Sequence, residues 1–275
     1  MVEPLPFDLA GWSGLRAVAI NGSAAPPLVF IHGTNQDHRH FANYMRVLSA
    51  RGLDCYAFPR RGRDGIPPAN ALGVRFDEYL ADTIAILDHL GRRAILVAHS
   101  FGGLLAQKLA EMGRCAAAVL LVPLAPRQVL TRLVAPLPSV PVYLKILRAV
   151  IRGDSFTVTY GDLCAISLNR VPESDRRALF STFVAESGVV TREVLLGIRV
   201  DPSRVTCPML CVSAGEDRFV PARVVRSIAK FYGAEYRELA RHGHFILADE
   251  GWEEVPQLIW TWLKEKHLVG ADVAT

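Results

Sequence analysis

The segment Leu96-Val97-Ala98-His99-Ser100-Phe101-Gly102-Gly103 places a serine where an apolar run gives way at once to a helical pattern. A strand that turns straight into a helix strains the backbone at the turn and lifts the turn side chain above the sheet. Small residues two before and two after the serine let that backbone close, and Ala98 and Gly102 occupy those positions. Ala98 stands where glycine is usual, so the pattern is loosened by one methyl but not broken. The N–H of Phe101 would face the same space from the helix N-terminus, where developing negative charge is stabilised. This arrangement suits attack of Ser100 Oγ on a carbonyl, which requires an adjacent base because the hydroxyl is a weak nucleophile near neutral pH. A serine that merely caps a closely packed helix would read the same way by itself.

Other chemistry-bearing groups carry weaker signals. Asp37, His38 and His40 lie together and faintly suggest a metal, but a polar helix start accounts for them and no fourth ligand accompanies them. Cys207 and Cys211 lack zinc-finger spacing, and no matching pair completes a site. Neither a metal nor a cofactor is expected. Arg60, Arg61 and Arg63 gather around Gly62 without interleaved aromatics. This is weak evidence for nucleic acid, and a solvated loop is the expectation.

The elements that must position Ser100 follow from composition and periodicity. The 275 residues are 51% hydrophobic and 21% charged, with mean hydropathy +0.22 and net charge +4. These values exclude disorder as the main state. The apolar stretch Ala116–Ala125 is too short to span a bilayer, which needs roughly 20 residues, so no membrane partner is expected. Glu3 and Asp8 near the start, and five cysteines mostly in apolar runs, read as a cytoplasmic protein with reduced thiols and no secretory signal.

Strands are predicted at Leu15–Ile20, Pro27–Ile31, Asp54–Phe58, Ala94–Ala98, Ala116–Val122, Met209–Ser213 and Tyr236–Leu239. Helices are predicted at Phe41–Arg51, Phe76–Leu90, Phe101–Met112, Ala222–Tyr232 and Trp252–Lys266. The alternation marks an α/β chain with a mostly parallel central sheet flanked by helices. Between residues 127 and 204 the strand rhythm stops, and helical patterns appear at Leu130–Leu137, Val142–Ile151, Tyr160–Leu168, Glu173–Val184 and Thr191–Leu196. An interval of that length is no ordinary loop. The expected organisation is a core of residues 1–126 and 205–275 interrupted by a helical insertion at 127–204.

Taken together, four motifs in order resemble the α/β-hydrolase family. Val29-Phe30-Ile31-His32-Gly33-Thr34 resembles its strand-then-His-Gly turn, and Ala98–Gly103 its nucleophile elbow. Val212-Ser213-Ala214-Gly215-Glu216-Asp217 resembles the strand end that carries the acid, and Arg241-His242-Gly243-His244-Phe245 the loop of the catalytic histidine. The resemblance implies Ser100 as nucleophile, His244 as base and Asp217 as the acid that orients it, with the Thr34 and Phe101 N–H groups as the oxyanion hole. It also implies that the insertion is a helical cap, or lid. On this reading His242 and Glu216 are neighbours of the catalytic groups, His99 packs behind the elbow, and His32 braces the oxyanion turn.

Asn35 and Gln36 follow Thr34 directly and either bind substrate or line a wet turn; Glu186 in the insertion is a further substrate-binding candidate. The arginines near Gly62 depart from the family pattern and are either a surface loop or a site for an anionic substrate group. The implied activity is hydrolysis of a carboxylic ester or lactone of a moderately hydrophobic small molecule through an acyl-enzyme. A biosynthetic thioesterase or cyclase, a carbon–carbon hydrolase or lyase, and a non-catalytic ligand-binding protein of the same fold are the alternatives. The small molecule is the one partner expected; the sequence leaves the oligomeric state open.

Overall fold

The computed structural model describes residues 3–19, 22–63, 66, 71–130, 140–152, 155 and 157–270. Eight strands form one sheet: β1 (Leu5–Leu9), β2 (Trp12–Ala17), β3 (Leu28–Ile31), β4 (Cys55–Ala57), β5 (Ala94–His99), β6 (Cys115–Leu121), β7 (Met209–Ala214) and β8 (Glu235–Leu239). Their order is β1-β2-β4-β3-β5-β6-β7-β8, antiparallel at β1, β2 and β4 and parallel from β4 to β8.

Successive strand residues face opposite sides of a sheet. Phe30, Val97, Val119 and Val212 accordingly pack on one side, beneath α1 (Ala42–Ser49) and α10 (Glu254–Glu265). Val29, Leu96, Leu120 and Cys211 pack on the other, beneath α2 (Phe76–Leu90), α3 (Phe101–Glu111) and α9 (Ala222–Tyr232). Covered on both faces, β5 is buried along its whole length, which explains its unbroken apolar run.

Two sequence expectations change at the amino end. Leu5–Leu9 is a strand, paired with β2 from Leu5↔Arg16 to Leu9↔Trp12, whereas no strand was expected there. Its side chains are largely exposed, so the apolar alternation that marks a strand is faint. β2 begins at Trp12 and ends at Ala17, ahead of the expected Leu15–Ile20; Ile20 lies outside the described residues.

Between β6 and β7 the described residues form α4 (Arg127–Leu130), α5 (Val140–Arg152), α6 (Tyr160–Ile166), α7 (Glu173–Phe180) and α8 (Gly188–Leu196). The expected helix Leu130–Leu137 lies, beyond Leu130, outside the described residues. α7 stops at Phe180 rather than Val184, because Val184 turns away to donate its N–H to the Asn35 carbonyl at 2.9 Å. No described helix is long and apolar enough to cross a membrane.

The close contact of α3 with β3 depends on one missing side chain. A Cβ on Gly102 would lie 2.3 Å from the Ile31 carbonyl oxygen and 2.8 Å from that of His32. Neither is a flexible atom that can yield. Gly102→Ala is expected to lower the urea unfolding free energy by about 2 kcal/mol or more. Gly161→Ala, in α6 with open space around it, is the control and is expected to be neutral or slightly stabilising.

Candidate active site

Ser100 sits between β5 and α3 with φ 52° and ψ −117°, a backbone conformation that a non-glycine residue adopts only under strain. Neighbouring strands hold it there. Its N–H donates to the Leu121 carbonyl at 3.0 Å, and its own carbonyl accepts from Gly103 at 2.9 Å and Leu124 at 3.0 Å. On the far side of the elbow, Gly103 leaves no room for a Cβ against Pro123, which would be 2.6 Å away.

The loop after β8 brings His244 to this turn. Ser100 Oγ lies 3.0 Å from His244 Nε2, and His244 Nδ1 donates to Asp217 Oδ2 at 2.8 Å. The Asp217 side chain is fully buried at the end of β7, where its Oδ1 accepts the N–H groups of Phe219 at 2.7 Å and Val220 at 2.8 Å. Fixing one oxygen on backbone amides leaves the other aimed at the imidazole. Phe219 and His99 flank the His244 ring, each with its ring centroid 5.1 Å away. A hydroxyl, a tautomer-fixed imidazole and a buried carboxylate in this geometry can pass a proton from the hydroxyl to the imidazole.

The sequence candidates that are not part of this chain of contacts fall elsewhere. His242 turns to Asp249 and Glu254, with nitrogen–oxygen separations of 3.6 and 3.8 Å, and Glu216 is exposed beside Arg170. His99 lies fully buried behind the elbow; its Nε2 donates to the His244 carbonyl at 2.8 Å, and its Nδ1 is 3.0 Å from Gln36 Oε1. Asp37 pairs with Arg39 at 2.7 Å, and His40 Nε2 meets Thr182 Oγ1 at 2.7 Å. Among the described residues no group of three or more His, Cys, Asp or Glu is arranged to hold a metal ion.

The turn after β3 brings Thr34 to the mouth of the site. Gln36 Oε1 accepts the Gly33 N–H at 2.8 Å, and Asn35, at φ 58°, donates its Nδ2 to the Val184 carbonyl at 2.8 Å. These side chains shape the turn while also lining the cavity above Ser100. Here the expectation of a solvated arginine loop is overturned. Arg60 and Arg63 are 4% and 5% exposed and both donate to Glu186 Oε2 at 2.8 Å. Arg61 points outward to Glu78 and Asp82 instead. A buried partner 126 residues away in sequence makes burial of Arg60 affordable, and local composition carries no trace of it.

Two adjoining cavities open over the turn. One of about 50 Å³ holds Ser100 and His244 at its floor, with Val142, Ile146, Leu163 and Ile166 of the intervening helices above them. The other, about 80 Å³, touches Thr34 and Phe101 but not Ser100, and is walled mainly by apolar side chains such as Leu124, Val190, Val194 and Val224. Thr34, Ile146 and Phe219 belong to both.

Sequence reasoning missed Tyr79 and Asp249, and it singled out Arg60 and Arg63 without their burial against Glu186. Asp249 Oδ2 accepts the Gly243 N–H at 2.6 Å and so fixes the residue that precedes His244. An acidic residue five positions after a motif histidine has no signature of its own. Gly243 was legible, and its reason is now visible: a Cβ there would stand 2.8 Å from Asn169 Oδ1.

Burial dominates the histidines around this site. It holds His32 and His99 well below the ordinary value of 6.5 and pulls His38 and His40 down to about 4; Arg60 beside His32 and His244 beside His99 act in the same direction. The unfolded chain therefore binds protons at a higher pH than the folded one. The stability contributed by these neutral rings is present above pH 6.5 and is lost as pH falls toward 4. For His38 alone the change is about 3 kcal/mol. The urea midpoint is expected to fall steeply between pH 6.5 and 4; a flat midpoint across that window would show these rings to be accessible.

Residues 28–257 match the Alpha/beta hydrolase family. No curated protein matches the chain in sequence. A soluble variant of monoglyceride lipase from Saccharomyces cerevisiae, in complex with a substrate analog, superposes with TM-score 0.74 at 13% identity, covering 98% of this chain and 97% of that one. The monoacylglycerol lipase of Paleococcus ferrophilus gives 0.68 at 21% identity, over 91% and 98%. The enol-lactonase of Burkholderia xenovorans LB400 gives 0.69 at 18% identity, over 94% and 100%. With the family matched over most of its length and an eight-stranded, mostly parallel sheet carrying helices on both faces, the chain belongs to the α/β-hydrolase family.

Proposed function

We propose that the chain is a serine hydrolase that cleaves a carboxylic ester or lactone of a moderately hydrophobic small molecule through an acyl-enzyme on Ser100. The observation that carries this reading is the continuous contact from Ser100 Oγ through His244 to Asp217, opening into an apolar-walled cavity. Similar folds in two monoglyceride lipases and an enol-lactonase agree with it.

In the proposed reaction His244 Nε2 accepts the Ser100 proton as Oγ attacks the carbonyl carbon. Asp217 holds the ring by its Nδ1–H and stabilises the imidazolium that forms. The carbonyl oxygen becomes an oxyanion held by the N–H groups of Thr34 and Phe101, each worth about 3 kcal/mol in the transition state. His244 then returns the proton to the leaving oxygen. Water, deprotonated by the same ring, attacks the acyl carbon; the bond from that carbon to Ser100 Oγ breaks, His244 returns the proton to Oγ, and the acid leaves. The larger cavity beside Thr34 and Phe101 suits the acyl group because its walls are apolar. The smaller one, edged by Asn35, Gln36 and Ser167, suits the leaving group. Residues 127–204 act as a cap that supplies Ile146, Leu163 and Ile166 over the reacting atoms and restricts water.

A fluorophosphonate probe is expected to add one phosphonyl group per chain, at Ser100 in the peptide map, and Ser100→Ala to remove both the adduct and p-nitrophenyl acetate cleavage. An unlabelled Ser100 with no ester turnover above background would sink the hydrolase reading in favour of ligand binding. Asp217→Asn is expected to lower kcat by roughly three to four orders of magnitude with the fold intact by circular dichroism. Full activity in Asp217→Asn combined with an inactive Glu216→Gln would move the acid to Glu216.

A further inference from the structure

Three charged side chains are buried directly behind the turn that carries Thr34, and the reaction proposed above does not use them. Glu186, 1% exposed, follows α7 and precedes α8. Its Oε2 accepts Arg60 Nη2 and Arg63 Nη2, each at 2.8 Å, and its Oε1 accepts the Tyr79 hydroxyl at 2.9 Å and the Ser187 N–H at 3.1 Å.

The two guanidinium groups in turn grip the peptide chain on both sides of Thr34. Arg60 donates to the Gly33 carbonyl at 2.9 Å and the His32 carbonyl at 3.4 Å, and Arg63 donates to the Gln36 carbonyl at 3.1 Å. Arg60 also lies over the rings of Tyr79 and Phe101, 4.7 Å from each centroid. The cluster therefore touches the neighbours of one proposed oxyanion donor and the side chain of the other.

We propose that Glu186 is a positioning residue: by locking Arg60 and Arg63 onto the carbonyls that flank Thr34, it sets the backbone geometry of the oxyanion hole. The inference rests on the serine hydrolase reading. It replaces the expectation that Glu186 contacts substrate. Glu186 reaches the wall of the larger cavity, yet a carboxylate has about four acceptor positions and four donors already occupy them.

The electrostatics agree with the geometry. Burial alone would raise the Glu186 carboxyl, but Arg60 and Arg63, with the Tyr79 hydroxyl and the Ser187 amide, hold it below the usual carboxylate range. Burial brings Arg60 down to about 10, so it stays charged at neutral pH. Two buried cations and one anion leave an excess positive charge next to the atoms where negative charge would develop. Ion clusters of this kind contribute little net stability, and their established use is to fix one arrangement over its alternatives. Because Glu186 comes from the segment between β6 and β7, the hole would be complete only with that segment docked. Val184 adds to this connection through its paired bonds with Asn35.

The test compares wild type, Glu186→Gln and Tyr79→Phe. For Glu186→Gln, kcat on a p-nitrophenyl ester and the rate of fluorophosphonate labelling are expected to fall about 100-fold, with KM changed by no more than about threefold. Tyr79→Phe removes one hydrogen bond to Glu186 and keeps all three charges; a fall of about fivefold in kcat is expected, with a lowered thermal midpoint but an intact fold by circular dichroism. Amide hydrogen exchange in the 33–36 segment is expected to speed up in Glu186→Gln, a readout independent of any substrate. Unchanged labelling and unchanged exchange in Glu186→Gln would overturn the proposal, as would a rise in KM with kcat intact, which would make Glu186 a substrate ligand. Failure of wild type itself to label would count against the hydrolase reading, and the exchange data would still decide whether Glu186 holds the turn. Should Glu186→Gln not fold, the kcat of Tyr79→Phe decides: an unchanged kcat in the folded variant would overturn the proposal.

Discussion

The left-handed backbone at Ser100 is the constraint on which the rest of the site depends. A serine at φ 52° is held there against its own preference by hydrogen bonds to Leu121, Gly103 and Leu124. Those bonds exist because β5 and β6 run side by side to the same level and because α3 can press against β3. That close approach in turn requires Gly102 to have no side chain. Packing several residues away from Ser100 thus helps to fix where its Oγ lies beside His244.

A second layer of order is electrostatic. Asp217 spends one oxygen on two backbone amides and so can offer only the other to His244. Glu186 is similarly saturated, and its partners are the arginines that hold the turn around Thr34. In both places a carboxylate is immobilised by donors on both of its oxygens. The low exposure that makes these bonds strong also makes a missing partner costly, and each of the four carboxylate oxygens accepts at least one of them.

The site is assembled from the carboxyl ends of parallel strands, where loops of different length can meet without disturbing the sheet. β3 delivers the Thr34 turn, β5 Ser100, β7 Asp217 and β8 the loop of His244. The segment between β6 and β7 then divides the space above into two cavities that share Thr34, Ile146 and Phe219. Sheet and segment thus have separate tasks in the proposed reaction. One fixes the reacting atoms; the other shapes and dries the space around them.

Much of this was legible in the residues themselves. The strand-to-helix serine, the four motifs in order and the doubly buried apolar runs are local patterns, written within a few residues of one another, and they sufficed for the α/β architecture and the family. Gly102 and Gly243 were legible as positions, although the Ile31 carbonyl and Asn169 that forbid a side chain there were not. What the sequence did not determine depends on partners far apart along the chain. Arg60 and Arg63 look like a solvated basic loop until Glu186 arrives from more than a hundred residues away, and β1 has no buried face to betray it. Local sequence records backbone preference and hydrophobic period. Whether a charged side chain is buried depends on which opposite charge the fold brings within about 3 Å, and only the tertiary structure decides that.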